Sequence, residues 1–346
     1  MAADDRGASR SRRPTMHDVA QAAGVSQSTV SFVLNDRKDI PVAAATRQRV
    51  LLAADRLGFR LNRAAQDLRL ARSSAIGIVA DGIASAPFAG AIPAGLQEAA
   101  READRACMIV EAAPEDEDDA RATQMLLDRG ITDVVYARPA TGPVRAGAVS
   151  VPAQVFANCW PEDDRAAAVL LPDERSGGRD AARAVLAAGH RDLLVLAGTD
   201  GEWATVERVA GFKDAAKEAG LDPERVPIAF GDYAIRSGYR LAREWVPRMR
   251  PTAIVCGNDR MALGALLALG ELGLRVPDDV SLVGYDDQAD FADELTPRLT
   301  TVAIPFREIG VEAGRLLTRG DTAAERRLIP CRLVPRESVA APTPRA

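Results

Sequence analysis

The sequence predicts a small all-α helix-turn-helix module at the N-terminus, followed by a larger α/β core of two successive parallel-sheet lobes. Three observations predict it: two short amphipathic segments joined by a glycine turn near the start, a strand–helix alternation that begins at Ala75 and resumes after Pro172, and a length of 346 residues, more than one ordinary domain requires. Hydrophobic residues make up 47% of the chain and charged residues 27%, so a sizeable core can be built and neither a disordered chain nor a membrane protein is indicated.

The first helix starts at Thr15-Met16-His17-Asp18, where Thr15 can cap and Asp18 stands three residues on, a variant of the capping box. Val19, Ala20 and Ala23 then share a face, and Gly24 interrupts the helix. Ser26 can cap a second helix, Gln27 to Leu34, with Val30, Val33 and Leu34 on one side. A third helical pattern covers Thr46 to Leu57, with Val50, Leu51, Ala54 and Leu57 expected inward and Gly58 placed to end it. The short polar segment Asn62 to Arg69 is compatible with a helix but too short to be stable alone, so a hinge that folds only with help is expected.

In the core, Ile76 to Val79, Cys107 to Val110 and Val134 to Tyr136 read as strands, separated by helices over Ala94 to Glu102 and Arg121 to Asp128. After Pro172 the rhythm continues: helix Gly177 to Ala188, strand Leu193 to Ala197, helix Val206 to Glu218, strand Ile254 to Cys256, helix Met261 to Leu272, strand Ser281 to Val283.

The net charge of −5 hides an asymmetry: residues 1 to 72 carry 13 Lys and Arg against 7 Asp and Glu, a net of +6, and the remainder carries −11. A basic N-terminal fifth suits the neutralisation of nucleic-acid phosphates, although a merely solubilising tail would look the same. Cys107, Cys159, Cys256 and Cys331 lie far apart without a C-x-x-C pair or nearby histidines, so they are expected to be small buried residues of a reducing cytoplasm, with no zinc site and no other cofactor implied. Met1 to Pro14 holds no apolar stretch fit for a secretion signal, and no later run is long enough to span a bilayer.

The string Met16 to Asn35, together with Thr46-Arg47-Gln48-Arg49-Val50, Ala53 to Phe59 and Asn62 to Arg69, resembles the DNA-binding part of the lactose-repressor (LacI/GalR) family. Gly189-His190-Arg191, Arg208-Val209-Ala210-Gly211-Phe212, Asn258 to Ala262 and Val276 to Asp287 resemble the same family's core, which is similar in fold to periplasmic sugar-binding proteins. The resemblance covers nearly the whole chain. It implies a disordered basic arm over 1–14, a helix-turn-helix DNA-binding domain over 15–60, a hinge over 61–72 and a ligand-binding and dimerisation core over 73–340. Within the core it places lobe 1 at about 74–172 and 302–330, and lobe 2 at about 173–301 and 331–340.

Carried over residue by residue, the resemblance implies DNA contacts by Thr15, Gln27, Ser28, Thr29, Ser31, Phe32 and Asn35, and by Asn62, Ala65, Leu68 and Arg69 of the hinge. Exposed side chains opening the second helix can reach base edges in the major groove, and Leu68 would wedge between central base pairs. Three residues depart from the family pattern: Phe32 stands where an arginine is frequent, Leu61 replaces a proline, and Ala43 replaces the usual cap of the third helix, a loss of about 1 kcal/mol. For the ligand, the resemblance points to Asn158, Tyr233, Asn258 and Asp286, with Phe88 as a wall from the first lobe and Glu202 and Trp203 where several members carry arginines. Carboxylates, amides and aromatic faces suit a neutral polyhydroxylated ligand, which makes a sugar the first expectation and a non-sugar metabolite the second.

The expected protein is therefore a transcriptional regulator, a repressor, working as a homodimer or tetramer on a pseudo-palindromic double-stranded operator and answering to a small effector. Enzyme chemistry has no support, since His17 and His190 lie in different domains and neither accompanies a nucleophile motif, a G-x-G-x-x-G or a P-loop. A periplasmic solute-binding protein is the rival reading of the core, but it would have no use for residues 15 to 69.

Overall fold

The computed structural model describes residues 14–35, 37, 39–60, 73–83, 90–113, 117–288 and 291–343, and the chain forms two compact units, 1–71 and 72–346. In the first unit, helices α1 (Met16–Ala23), α2 (Gln27–Leu34) and α3 (Ala44–Arg56) enclose a core of Val19, Ala20, Ala23, Val30, Val33, Val50, Ala53 and Ala54. The capping box forms: the Asp18 N–H donates to Thr15 Oγ1 at 3.3 Å and the Thr15 N–H to Asp18 Oδ2 at 2.7 Å. Gly24 takes the left-handed conformation, φ +63°, that reverses the chain toward α2, where the Thr29 N–H donates to the Ser26 hydroxyl at 3.1 Å. Helix α3 begins at Ala43 without a side-chain cap, and two expected core residues point outward: Leu51 is 49% and Leu57 38% exposed. The small residues Ala53 and Ala54 are buried in the three-helix core instead.

The second unit has two sheets. One has the order β11-β5-β4-β3-β1-β2, formed by β1 (Ala75–Ala80), β2 (Ala106–Glu111), β3 (Asp133–Val144), β4 (Ala153–Pro161), β5 (Ala168–Asp173) and β11 (Glu325–Pro330), every pair parallel. Helices α4 (Ala91–Glu102) and α10 (Phe306–Arg319) cover one face and α5 (Ala120–Leu127) the other. The other sheet, β7-β6-β8-β9, is built from β6 (Leu193–Ala197), β7 (Ile228–Phe230), β8 (Ala253–Cys256) and β9 (Ser281–Val283), also parallel. Its faces carry α6 (Glu174–Ala187) with α7 (Trp203–Glu218), and α8 (Ile235–Met249) with α9 (Asp259–Glu271). Central strands such as β6 are buried along their length, whereas the edge strands β2 and β11 alternate in exposure, as parallel sheets covered on both faces require.

The strand–helix rhythm read from the sequence is present, and the structure adds β4, β5, β7, β11, α8 and α10, together with the antiparallel pair β10 (Thr301–Ala303) and β12 (Arg332–Val334). Thr300, just before β10, bridges to Val283, and Ala303 of β10 bridges to Asp286, so the chain stays beside the second sheet as far as Ala303. The chain thus changes lobe three times, at Asp173/Glu174, after Ala303 and between Pro330 and Arg332. No helix among the described residues is long and apolar enough to cross a membrane.

Each helix pair crosses at two glycines. A Cβ on Gly95 would lie 2.0 Å from the Arg307 carbonyl oxygen and one on Gly310 2.1 Å from that of Ile92; Gly178 and Gly211 meet Arg208 and Arg175 at 2.2 and 1.9 Å, and Gly238 and Gly264 meet Met261 and Ile235 at 2.2 and 2.0 Å. The neighbours are backbone atoms, which cannot rotate away. Gly211→Ala should therefore cost about 1–3 kcal/mol in urea unfolding through forced separation of α6 and α7. Gly270→Ala, in α9 with nothing within 4 Å, should instead gain about 0.5–1 kcal/mol. Equal effects at the two positions would mean that the crossings are not the tight points of the fold.

Candidate functional site

In the first unit the exposed start of α2 presents Gln27 and Ser28, while Thr29, Ser31, Phe32 and Asn35 are half-buried. Part of this set is tied up locally: the Thr29 hydroxyl lies 2.9 Å from that of Ser26, and the Asn35 amide donates to the Ser31 carbonyl at 2.8 Å. Thr15 is exposed, its side chain engaged in capping α1. Gln27 and Ser28 are the side chains most open to a partner. The hinge residues Asn62, Ala65, Leu68 and Arg69 lie outside the described residues, as does Phe88 in the core.

In the second unit a cavity of about 220 Å³ opens between the lobes. Pro139 to Thr141 and the crossing residues Ile304 and Phe306 form one side; Glu202, Tyr233, Asn258 and Asp286 stand on the other. Their positions follow from helix and strand ends. Asn258 caps α9, its Oδ1 accepting from the Met261 N–H at 2.8 Å while its amide donates to the Tyr233 carbonyl at 3.1 Å. Tyr233 has φ +62° and its hydroxyl sits 2.6 Å from that of Thr205; Glu202 occupies the cap position of α7 with no capping bond. Asp286 follows β9 with φ +106°, is 9% exposed at its side chain, and accepts from the Gln288 amide at 3.1 Å.

Two expected ligand residues are placed elsewhere. Asn158 is buried with φ +58°, its Oδ1 accepting from the Thr141 hydroxyl at 2.6 Å and its amide donating to the carbonyls of Arg138 and Pro139 at 2.9 and 3.2 Å. It fastens the irregular stretch of β3 to β4 and so shapes the cavity rim without lining it. Trp203 meets Trp160 of β4 edge to face, centroids 5.8 Å apart, with the Arg326 guanidinium 5.3 Å from one ring and 5.8 Å from the other. That ring therefore clasps lobe 2 to lobe 1 beside the cleft.

Three charged residues that sequence reasoning did not assign complete the wall: Glu174, Arg208 and Arg260. Arg208 donates through Nε and Nη2 to the two oxygens of Glu174 at 2.8 and 2.9 Å and through Nη1 to the Gly257 carbonyl at 2.6 Å, and its guanidinium stacks 3.8 Å from the centre of the Tyr285 ring. Burial opposes its charge, but Glu174 outweighs that and raises its pKa well above the ordinary value. The signal was present in outline, since Glu174 and Arg208 head helical stripes that are otherwise small or apolar, Gly177, Gly178 and Ala181 in one and Gly211, Phe212 and Ala215 in the other. Among the described residues no cluster of His, Cys, Asp or Glu could hold a metal ion.

Residues 15–62 match the model of bacterial regulatory proteins of the lacI family, and residues 182–339 match a periplasmic binding protein-like domain. The chain is 30% identical to the HTH-type transcriptional regulator DegA of Bacillus subtilis (strain 168) over 341 residues, 94% of this chain and 98% of that one. It is 31% identical to the HTH-type transcriptional regulator CelR of Thermobifida fusca over 331 residues, 92% and 96% of the two chains. Among solved structures, the lac repressor dimer bound to operator and the anti-inducer ONPF has a TM-score of 0.76 at 28% identity, covering 95% of this chain and 100% of that one. A CelR–cellobiose complex has a TM-score of 0.61 at 28% identity, covering 94% and 100%.

Burial lifts the Asp286 carboxyl to about 6 against the pull of Arg208, and burial with the nearby Asp286 charge lifts Asp259 to about 7, both from an ordinary 3.8. The folded chain thus holds protons that the unfolded chain has released. This contribution to stability is complete below pH 3.8 and is lost as pH rises through 6 to 7. The melting temperature of Asp286→Asn should accordingly fall less between pH 5 and pH 8 than that of the unaltered chain; an undiminished fall would assign the titration to other groups.

Proposed function

The chain belongs to the lacI family of bacterial regulatory proteins, and from that premise we propose that it is a cytoplasmic, dimeric repressor whose hold on a pseudo-palindromic operator is set by a sugar bound between the core lobes. The observation that carries this reading is the interlobe cavity, where a buried carboxylate, an amide and a tyrosine face a space that fits a small polyhydroxylated molecule. A carboxylate accepts two hydrogen bonds from adjacent hydroxyls, and the Tyr233 ring offers an apolar face to a pyranose. The relative solved with cellobiose supports a sugar, and the relative solved as a dimer on operator supports the pairing.

DNA recognition follows from the α2 start. One such helix reads few bases, so two copies on a two-fold site are needed for specificity. Selection from random DNA with the full chain should return a pseudo-palindrome, and Gln27→Ala with Ser28→Ala should change the selected bases while leaving salt-dependent non-specific binding in place. Recovery of the original site by the double variant would dismiss α2 as the reading element.

The effector acts by differential affinity for two arrangements of the lobes. Because the cavity touches two of the three crossings, at Glu174 and at Ile304, a ligand held there bears on the angle between the lobes. Couplings of this kind amount to about 1–3 kcal/mol, or roughly 5- to 150-fold in operator affinity. Titration of the selected operator, with and without each member of a sugar panel that includes cellobiose and sucrose, should find one sugar that moves the curve. Asp286→Ala should bind operator as the unaltered chain does and no longer respond, and a full response from that variant would rule the cleft out as the effector site.

A further inference from the structure

We propose that Glu174 makes the interlobe cleft selective for uncharged effectors by holding Arg208 as an internally neutralised pair, so that the cleft rejects carboxylate- or phosphate-bearing molecules. The proposal rests on the reading of this cleft as the effector site and deepens it. Arg208, like Arg260, is a cation set into the cleft wall, and a lone guanidinium there would be a natural anchor for an anion. It is not lone. Glu174, with its side chain 1% exposed, takes the Nε–Nη2 fork at 2.8 and 2.9 Å. The Gly257 carbonyl takes Nη1 at 2.6 Å, and the Tyr285 ring lies 3.8 Å beneath.

To bind an anionic group, Arg208 would have to turn from Glu174 and leave a carboxylate buried and unpaired, which is strongly unfavourable. A hydroxyl makes no such demand, because it can use the guanidinium N–H groups left over from these bonds and Asp286 Oδ1, 3.7 Å from Nη1, without displacing anything. The other charged lining groups do not tip the balance toward anions: against Arg260 stand two carboxylates of the same wall, Glu202 and Asp286, and Arg260 acts on the Asp286 charge. Specificity of this kind arises from a built-in repulsive element as much as from attraction. Glu174 acts through Arg208 and is therefore a positioning residue, set by its place directly after β5, where Asp173 caps α6 by accepting from the Ser176 N–H at 3.0 Å.

The test uses inorganic phosphate as the probe on the full chain, at constant ionic strength, by calorimetry and by thermal midpoint. The unaltered protein should show no saturable binding, whereas Glu174→Gln, which keeps a hydrogen-bond acceptor but no charge, should bind phosphate at least about tenfold more tightly, a factor worth about 1.4 kcal/mol. That gain should vanish when Arg208→Gln is added. A merely structural Glu174 would lower the thermal midpoint without creating an anion site, so a Glu174→Gln chain that melts cooperatively and gains no phosphate affinity overturns the proposal. Should that variant fail to fold, the unaltered chain decides: saturable phosphate binding that Arg208→Gln abolishes overturns the proposal, and its absence supports it. Neither sugar nor operator enters these measurements, so a chain that excludes phosphate as expected yet answers to no sugar would sink the sugar reading and leave the exclusion of anions standing.

Discussion

The close approach of α6 and α7 at Gly178 and Gly211 is the constraint on which the cleft depends. With no Cβ at either position the two backbones touch, the space beside Gly178 being taken by the Arg208 carbonyl and that beside Gly211 by the Arg175 carbonyl. The contact puts the Arg208 side chain against Glu174, one turn before Gly178, and the pair in turn stacks on Tyr285. Gly177 leaves the room that the Tyr285 hydroxyl occupies, 1.9 Å from where a Cβ would stand, next to Cys331 at the third lobe crossing. A run of small residues in one helix thus determines where a buried cation sits 30 residues later in the chain.

The cleft's electrostatics follow from that placement. Arg208, fixed and neutralised, still lowers the cost of the Asp286 charge, yet burial dominates and leaves the carboxyl at about 6. Hydrogen-bond donors placed against this carboxyl would favour its charged form. The lobes are joined by three short crossings and clasped beside the cavity by Trp160, Trp203 and Arg326, contacts of modest individual strength.

The N-terminal unit is built differently. Its buried core is valine and alanine, too small to stabilise three helices strongly by burial alone, so the capping box at Thr15 and the cap at Ser26 matter disproportionately. Ala43 gives α3 no such cap. The same economy leaves the α2 start polar and open at Gln27 and Ser28.

What the sequence by itself determined is what local chemistry encodes: the caps at Thr15 and Ser26, the left-handed turn at Gly24, and the division into an α module and an α/β core, whereas Asn258 and Asp286, which line the cavity, were pointed to by the family resemblance. Each of the former depends on residues within a turn or two of one another, where spacing and residue type leave a readable pattern. Only the tertiary structure decided that Leu51 and Leu57 face outward, that Asn158 turns its amide to Thr141 and the β3 carbonyls, that Trp203 packs on Trp160, and that β10 pairs with β12 before the chain returns to lobe 1. It also decided the pairing of Glu174 with Arg208, 34 residues apart. These arrangements join segments distant in the chain, and the free energy that selects among them comes from packing and desolvation at the contact, which leave no periodicity in either segment alone.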